Sequence, residues 1–154
     1  MNDHFRPTAK SIILDIASRK GQIVYGQQSV NQQLPKRLRR ETTDYDILTK
    51  KPKEEAIELT ARLNRLYGNK YRVKEAKHKG TYKVKDIKTG ETIVDYTLKR
   101  KSPKTKTMLG VKYADTEYAK RKIKKILKDK NSSYRHEKDL DILDRIKQVE
   151  KKVW

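Results

Sequence analysis

Residues 42–49 read TTDYDILT, two aspartates one residue apart in a run that otherwise has the makings of a buried strand. In an extended chain the side chains alternate faces, so Asp44 and Asp46 project to the same side, about 7 Å apart along the strand. Tyr45, Ile47 and Leu48 supply the aromatic and apolar content of a strand packed on a core. Two carboxylates aimed together from a rigid strand repel one another, a cost that a fold carries when a cation or a proton sits between them. The pair therefore reads as metal ligands. Asp95, in ETIVDYTL, lies in a second run of strand character, residues 92–98. Three acids on strands suit Mg²⁺ (or Mn²⁺), a hard ion that prefers oxygen and keeps positions for water and phosphate. An Asp-x-Asp triplet by itself is common and mostly solvated, so its surroundings carry the reading.

Upstream stands GQIVYGQQSVNQQL, in which an apolar strand over residues 23–25 runs into Gly26 and then into a polar segment from Ser29 suited to starting a helix. A glycine between a strand and a helix lets backbone amides approach an anion, and the helix dipole favours phosphate there. A phosphate site thus precedes a metal site. This order of parts resembles the nucleotidyltransferase superfamily related to polymerase beta. Its pattern is a hydrophobic residue, Gly, Gly or Ser, a spacer, Asp-x-Asp/Glu and a third acid on a later strand. The resemblance covers roughly residues 8 to 98. Tyr25, Gly26, Asp44 and Asp46 match, and Asp95 fits the third position. Gln27 stands where the family usually has Gly or Ser, and the spacer is longer than usual and carries Lys36, Arg37, Arg39 and Arg40.

The resemblance implies an enzyme that moves a nucleoside monophosphate from an NTP or dNTP to a hydroxyl acceptor. Asp44, Asp46 and Asp95 would be the catalytic metal ligands, Asp95 serving the chemical step most directly. Gly26 would seat the terminal phosphates, helped by the Gln27 amide or the Ser29 hydroxyl. Arg37 and Arg40 either hold phosphates or belong to a solvated loop.

The chain's 154 residues are one domain's worth, and 34% hydrophobic against 39% charged gives a thin core under a charged shell. No cysteine is present, which excludes a disulfide framework and thiolate metal sites. No apolar run approaches a membrane span, and the N-terminus lacks the apolar centre of a signal peptide, so the expectation is an intracellular, cytoplasmic chain. The formal charge is +20, and residues 99–130 hold thirteen bases against three acids, half of the excess. Such a field attracts polyanions, nucleic acid foremost. Lys99, Arg100, Lys101, Lys104, Lys106, Lys120 and Lys124 are the candidate nucleic-acid contacts.

The expected class is α+β, a small mixed sheet flanked by helices, with C-terminal helices. Thr8 caps a helix buried through Ala9, Ile12, Ile13, Ile16 and Ala17. A short helix covers residues 29–34, and a basic loop follows it. Pro52 opens a helix whose apolar face is Ala56, Leu59, Leu63 and Leu66, ended by Gly68. Strands follow over residues 71–76, 81–87 and 92–98, the last two joined by the turn KTGE. Residues 1–98 form the catalytic core; residues 99–154 add a basic loop, to about residue 114, and two helices packed on that core within one compact domain. The first helix runs over residues 116–128, with Ala119, Ile123, Ile126 and Leu127 on one face. The second is capped by Ser132 and Ser133 and carries Leu140, Ile142, Leu143, Ile146, Val149 and Val153. Asp139 and Asp141 diverge on that helix and read as solvated charges. His4, His78 and His136 form no zinc or triad pattern.

Two rivals to the enzyme reading stand. One is a nuclease, through the E-x-K triplet of Glu75, Ala76 and Lys77. The other is a non-catalytic nucleic-acid binder that keeps the scaffold, favoured by the altered glycine motif and the charge, and opposed by three acids that repel phosphate.

Overall fold

The computed structural model describes residues 8–128 and 135–151. Its first helix, α1 (Ala9–Lys20), starts in a capping box: the Ser11 amide donates to Thr8 Oγ1 at 3.1 Å and the Thr8 amide to Ser11 Oγ at 2.9 Å. It is followed by β1 (Ile23–Tyr25), α2 (Gly26–Gln32), a 3₁₀ turn (Lys36–Leu38), β2 (Tyr45–Thr49), α3 (Pro52–Tyr67), β3 (Tyr71–Glu75), β4 (Thr81–Asp86) and β5 (Thr92–Leu98). Two further strands, β6 (Thr105–Met108) and β7 (Val111–Ala114), lead into α4 (Thr116–Leu127) and α5 (His136–Lys151). The fold is α+β, with seven strands in the order β3-β4-β5-β2-β1-β7-β6. The sheet is mixed: β2 runs parallel to β5 and β1 parallel to β7, while the remaining neighbours are antiparallel.

Strand alternation divides the apolar residues between the two faces. Val24, Ile47, Val84, Val94 and Tyr96 point to one side, where they meet Ile12, Ile13, Ile16 and Ala17 of α1 and Ala56, Leu59 and Leu63 of α3 in the main core. The opposite face has a small cluster of Ile23, Tyr25, Leu48 and Ala114, against which Tyr118 of α4 packs. A satellite core joins Val30 and Leu34 of α2 with Leu38, Ile123 of α4 and Ile142, Leu143 and Ile146 of α5. The C-terminal helices are thus anchored on α2 and stand over the second face of the sheet without filling it.

Residues 99–114, expected as a basic loop, instead contain β6 and β7, which extend the sheet beyond β1. The reason is a tight hairpin at Leu109 and Gly110, both at positive φ (50° and 80°). Glycine takes that conformation readily and leucine rarely does. Lys112 is exposed while Val111 and Tyr113 are buried, so the basic composition masks a strand.

Two helix faces also depart from expectation. Leu66 is 52% exposed, because the buried stripe of α3 continues through Thr60 and Leu63 toward Tyr67. On α5, Leu140 is 56% exposed, whereas Asp139, read as a solvated charge, is 0% exposed. Asp139 lies three and four residues before Ile142 and Leu143, on the stripe that faces α2 and α4. Ser132, Ser133, Val153 and His4 lie outside the described residues. Among the described residues no helix is long and apolar enough to cross a membrane.

Candidate active site

The strand register brings the three acids together. Asp46 is the Cα partner of Tyr25 on β1 and of Asp95 on β5, so the two carboxylates stand side by side on the second face of the sheet. Asp44 precedes β2 on the same side and accepts a hydrogen bond from Thr42 Oγ1 at 3.0 Å. Gln28 of α2 pins this segment, its Nε2 donating to the carbonyls of Thr42 (3.4 Å) and Asp44 (3.2 Å). One carboxylate oxygen from each of Asp44, Asp46 and Asp95 lies within 4.8 Å of the others.

Gly26 makes this approach possible. Its φ is +72°, and a Cβ built on it would lie 2.2 Å from Asp46 Oδ2. The acid is packed against bare backbone, where no side chain fits.

The electrostatics match the crowding. Burial, then the charges of Asp95 and Asp44, push Asp46 up to about 7, with Lys122 opposing the rise. Asp95 has a counter-charge in Lys83, whose ammonium is 3.2 Å from Asp95 Oδ1, yet that oxygen is buried and accepts no hydrogen bond. Hard oxygen donors this close, one held toward its protonated form by its neighbours and one with an oxygen left unbonded, fit a hard divalent cation such as Mg²⁺ or Mn²⁺.

No protein-family model matches the chain, nor does any curated protein. Among solved structures, it is similar to the crystal structure of the Megavirus polyadenylate synthase, with a TM-score of 0.77 at 20% identity. The match covers 90% of this chain and 31% of that one, so this chain spans under a third of that protein's length. The chain thus shares the fold of the matched part of that structure.

The acids open onto a cleft of about 420 Å³ whose opposite wall is Arg135 and Lys138 at the start of α5. Arg135 is tied to buried Asp139 by two hydrogen bonds, Nε to Oδ2 at 3.1 Å and Nη2 to Oδ1 at 3.4 Å. Lys122 of α4 is exposed as a residue, yet its ammonium lies 4.2 Å from the centre of the Tyr25 ring. Tyr118 meets that ring edge-on at 6.1 Å, and the Tyr25 hydroxyl donates to Thr97 Oγ1 at 3.0 Å. Burial lowers the pKa of Lys122, against the pull of Asp46. A larger cleft, about 880 Å³, lies between Lys101, Ser102 and Pro103 on one side and Tyr118, Arg121, Lys122, Lys125 and Ile126 on the other. Among the described residues its lining contains bases and aromatic surface and no carboxylate.

The other sequence-derived candidates divide. Ser29 does not line the acid cleft: its buried hydroxyl donates to the Ala114 carbonyl and holds α2 to β7. Gln27 donates to Asn31 Oδ1 at 2.8 Å within α2. Asn31 Nδ2 in turn donates to the Arg40 carbonyl at 2.6 Å, and the Arg40 guanidinium is 3.3 Å from Asp141. Arg37 is exposed on the 3₁₀ turn, and neither arginine lines the acid cleft. Lys120 is paired with Glu117 (2.7 Å) and Glu150 (2.6 Å). Lys101 lines the larger cleft, Arg100, Lys104, Lys106 and Lys124 are exposed, and the Lys99 amide donates to the Thr49 carbonyl at 2.8 Å. Glu75, of the E-x-K triplet, is exposed on the edge strand β3, two strands from Asp95. His78 is exposed, and the His136 ring lies 3.2 Å from the Ile126 carbonyl.

Sequence reasoning missed Gln28, Lys83, Lys122, Arg135 and Lys138. The polar run QQSVNQQ did carry a signal, since amides spaced along a short helix are suited to clamping the carbonyls of neighbouring loops.

Proposed function

We propose that this chain transfers a nucleoside monophosphate from an NTP or dNTP to a hydroxyl of a nucleic-acid acceptor, with Asp44, Asp46 and Asp95 holding Mg²⁺ or Mn²⁺. The single observation that carries this reading is the meeting of the three carboxylates within 4.8 Å on the central strands of a nucleotidyltransferase-like fold. Bound there, the cation neutralises phosphate charge and lowers the pKa of the attacking hydroxyl. The residues of the chain do the rest. Asp46, packed against Gly26 and registered on Asp95, is held where it pre-orients the reacting groups. The acceptor oxygen forms a bond to the α-phosphorus, the bond from phosphorus to the bridging oxygen breaks, and pyrophosphate leaves. Asp95, whose carboxylate lies 3.2 Å from the Lys83 ammonium, is the base placed to receive the hydroxyl proton. Gly26, with the backbone of Gln27 beyond it, is the seat for the terminal phosphates. Lys101 in the larger cleft and the exposed Arg100, Lys104 and Lys124 supply a field for the acceptor backbone.

The Lys83 ion pair also supports a second reading, a nucleic-acid binder in which a lysine has replaced the metal at the third acid. One assay separates the two. Label from α-labelled nucleoside triphosphates, offered with Mg²⁺ or Mn²⁺ and pooled RNA and DNA acceptors, is expected to enter an acceptor with wild-type protein. Asp44→Asn, a variant of a half-buried residue at the strand mouth, is expected to reduce incorporation at least 100-fold with the fold retained. Tight acceptor binding with no label transferred would assign the binder, and shortening of the acceptor would assign a nuclease.

A further inference from the structure

We infer that the first turn of α5 is the leaving-group clamp of this site: Arg135, with Lys138 beside it, binds the phosphates of the triphosphate across the cleft from Asp44, Asp46 and Asp95, and Asp139 is the positioning residue that fixes the Arg135 guanidinium. The inference rests on the nucleotidyl-transfer reading and names the part of the chain that receives the pyrophosphate.

The cleft has two walls of opposite sign. Three carboxylates line one, and among the residues lining the cleft the other wall is Arg135 and Lys138. A triphosphate is repelled by the first wall unless cations face it, and its volume suits a cleft of about 420 Å³. The burial of Asp139 is the second observation. A carboxylate at 0% exposure on an apolar helix stripe is costly, and a fold retains one only with a close partner. Here the partner is Arg135, held through two donors in the fork geometry that defines a guanidinium plane. Arginine has five N–H donors, so an arginine oriented along one edge still presents others to the cleft that it lines. Arg40, from outside the helix, and Arg145, on α5 itself, pair instead with the partly exposed Asp141, and neither borders the acids.

The test is calorimetric binding of inorganic tripolyphosphate to the 154-residue chain in Mg²⁺. Wild type is expected to bind, and Arg135→Ala to weaken binding at least tenfold. Arg135→Lys is expected not to restore it, because an ammonium has no fork for Asp139 to orient. Asp139→Asn is expected to weaken wild-type binding several-fold but to have no effect on top of Arg135→Ala, which a merely structural role for Asp139 would not produce. Should Asp139→Asn disturb α5, Arg135→Ala decides alone, since that side chain is only partly buried. Lys53→Ala, at an exposed position on α3, controls for bulk charge. Equal losses from Lys53→Ala and Arg135→Ala would overturn the clamp. So would unchanged binding by Arg135→Ala while Asp46→Asn abolishes the Mg²⁺-dependent part, an outcome that leaves the nucleotidyl-transfer reading intact. Unchanged binding in both Arg135→Ala and Asp46→Asn would overturn that reading and the clamp with it.

Discussion

Asp46→Asn is expected to move stability and activity in opposite directions. In the metal-free protein Asp46 is nearly buried against Asp95 and Asp44, and its pKa rises to about 7. A carboxyl whose folded pKa lies above its unfolded value binds more protons in the folded state. Its contribution is therefore full below the unfolded value near 4 and is lost as pH rises toward 7. At pH 8 the folded protein bears nearly the whole cost of the ionised group, on the order of 4 kcal/mol for a rise from 3.8 to about 7, and the isosteric amide removes it. The metal-free variant should then melt roughly 10 °C above wild type at pH 8, with the gap narrowing below pH 7 and closing only below about pH 4. Mg²⁺ should raise the melting temperature of wild type and leave the variant where it was. Nucleotidyl transfer should fall by at least 1,000-fold, since Asp46 supplies one of the three carboxylate oxygens that lie within 4.8 Å of one another. Thermal melts at two pH values, with and without Mg²⁺, check the stability half, and single-turnover transfer checks the other. A variant less stable than wild type at pH 8 would contradict this description of the site.

Gly26→Ala is expected to spare the fold and disable the site. The φ of +72° makes a β-carbon unfavourable there by about 1 kcal/mol. The atom it would strike, at 2.2 Å, is Asp46 Oδ2, the free end of a side chain. Rotating that carboxylate relieves the worst contact, and a shift of a few tenths of an ångström eases those with Asp46 Cγ (3.1 Å) and Cβ (3.3 Å), but the movement carries the ligand away from Asp44 and Asp95. The expected result is a melting temperature only a few degrees lower, with transfer reduced at least 100-fold and Mg²⁺-dependent stabilisation absent. Urea unfolding and the same transfer assay would measure both. Transfer near wild-type rate in Gly26→Ala would show that Asp46 is not confined as described.

The same residues show what could be read from the sequence. Alternation in TTDYDILT placed Asp44 and Asp46 on one side of a strand, and the Gly26 segment before it completed a recognisable order. The partner strands of Asp46 were another matter, because they depend on a parallel pairing with β5 that no local pattern encodes. Lys83 was hidden for a more specific reason. The KTGE turn implies a hairpin register, but an irregularity between Val84 and Lys85 shifts it by one residue, and only then does Lys83 face Asp95. The strand β7 was lost among lysines, its turn built on Leu109 and Gly110 without the usual asparagine or aspartate. Asp139 misled because a charged residue between helical charges reads as solvated, whereas its spacing from Ile142, Leu143 and Ile146 puts it inside. Ser29 and Arg40 were legible as polar groups near the site, but their bonding to Ala114 and Asp141 is tertiary.

The measurement that reaches the central claim most directly is a titration of Mn²⁺ into the metal-free chain, followed by electron paramagnetic resonance, for wild type and for the Asp46→Asn and Asp95→Asn variants. If the three aspartates are a metal centre, wild type removes free Mn²⁺ from solution with defined stoichiometry, and each variant weakens that binding at least tenfold. Mn²⁺ binding that is the same in all three proteins would contradict the assignment of these acids, and the function built on them.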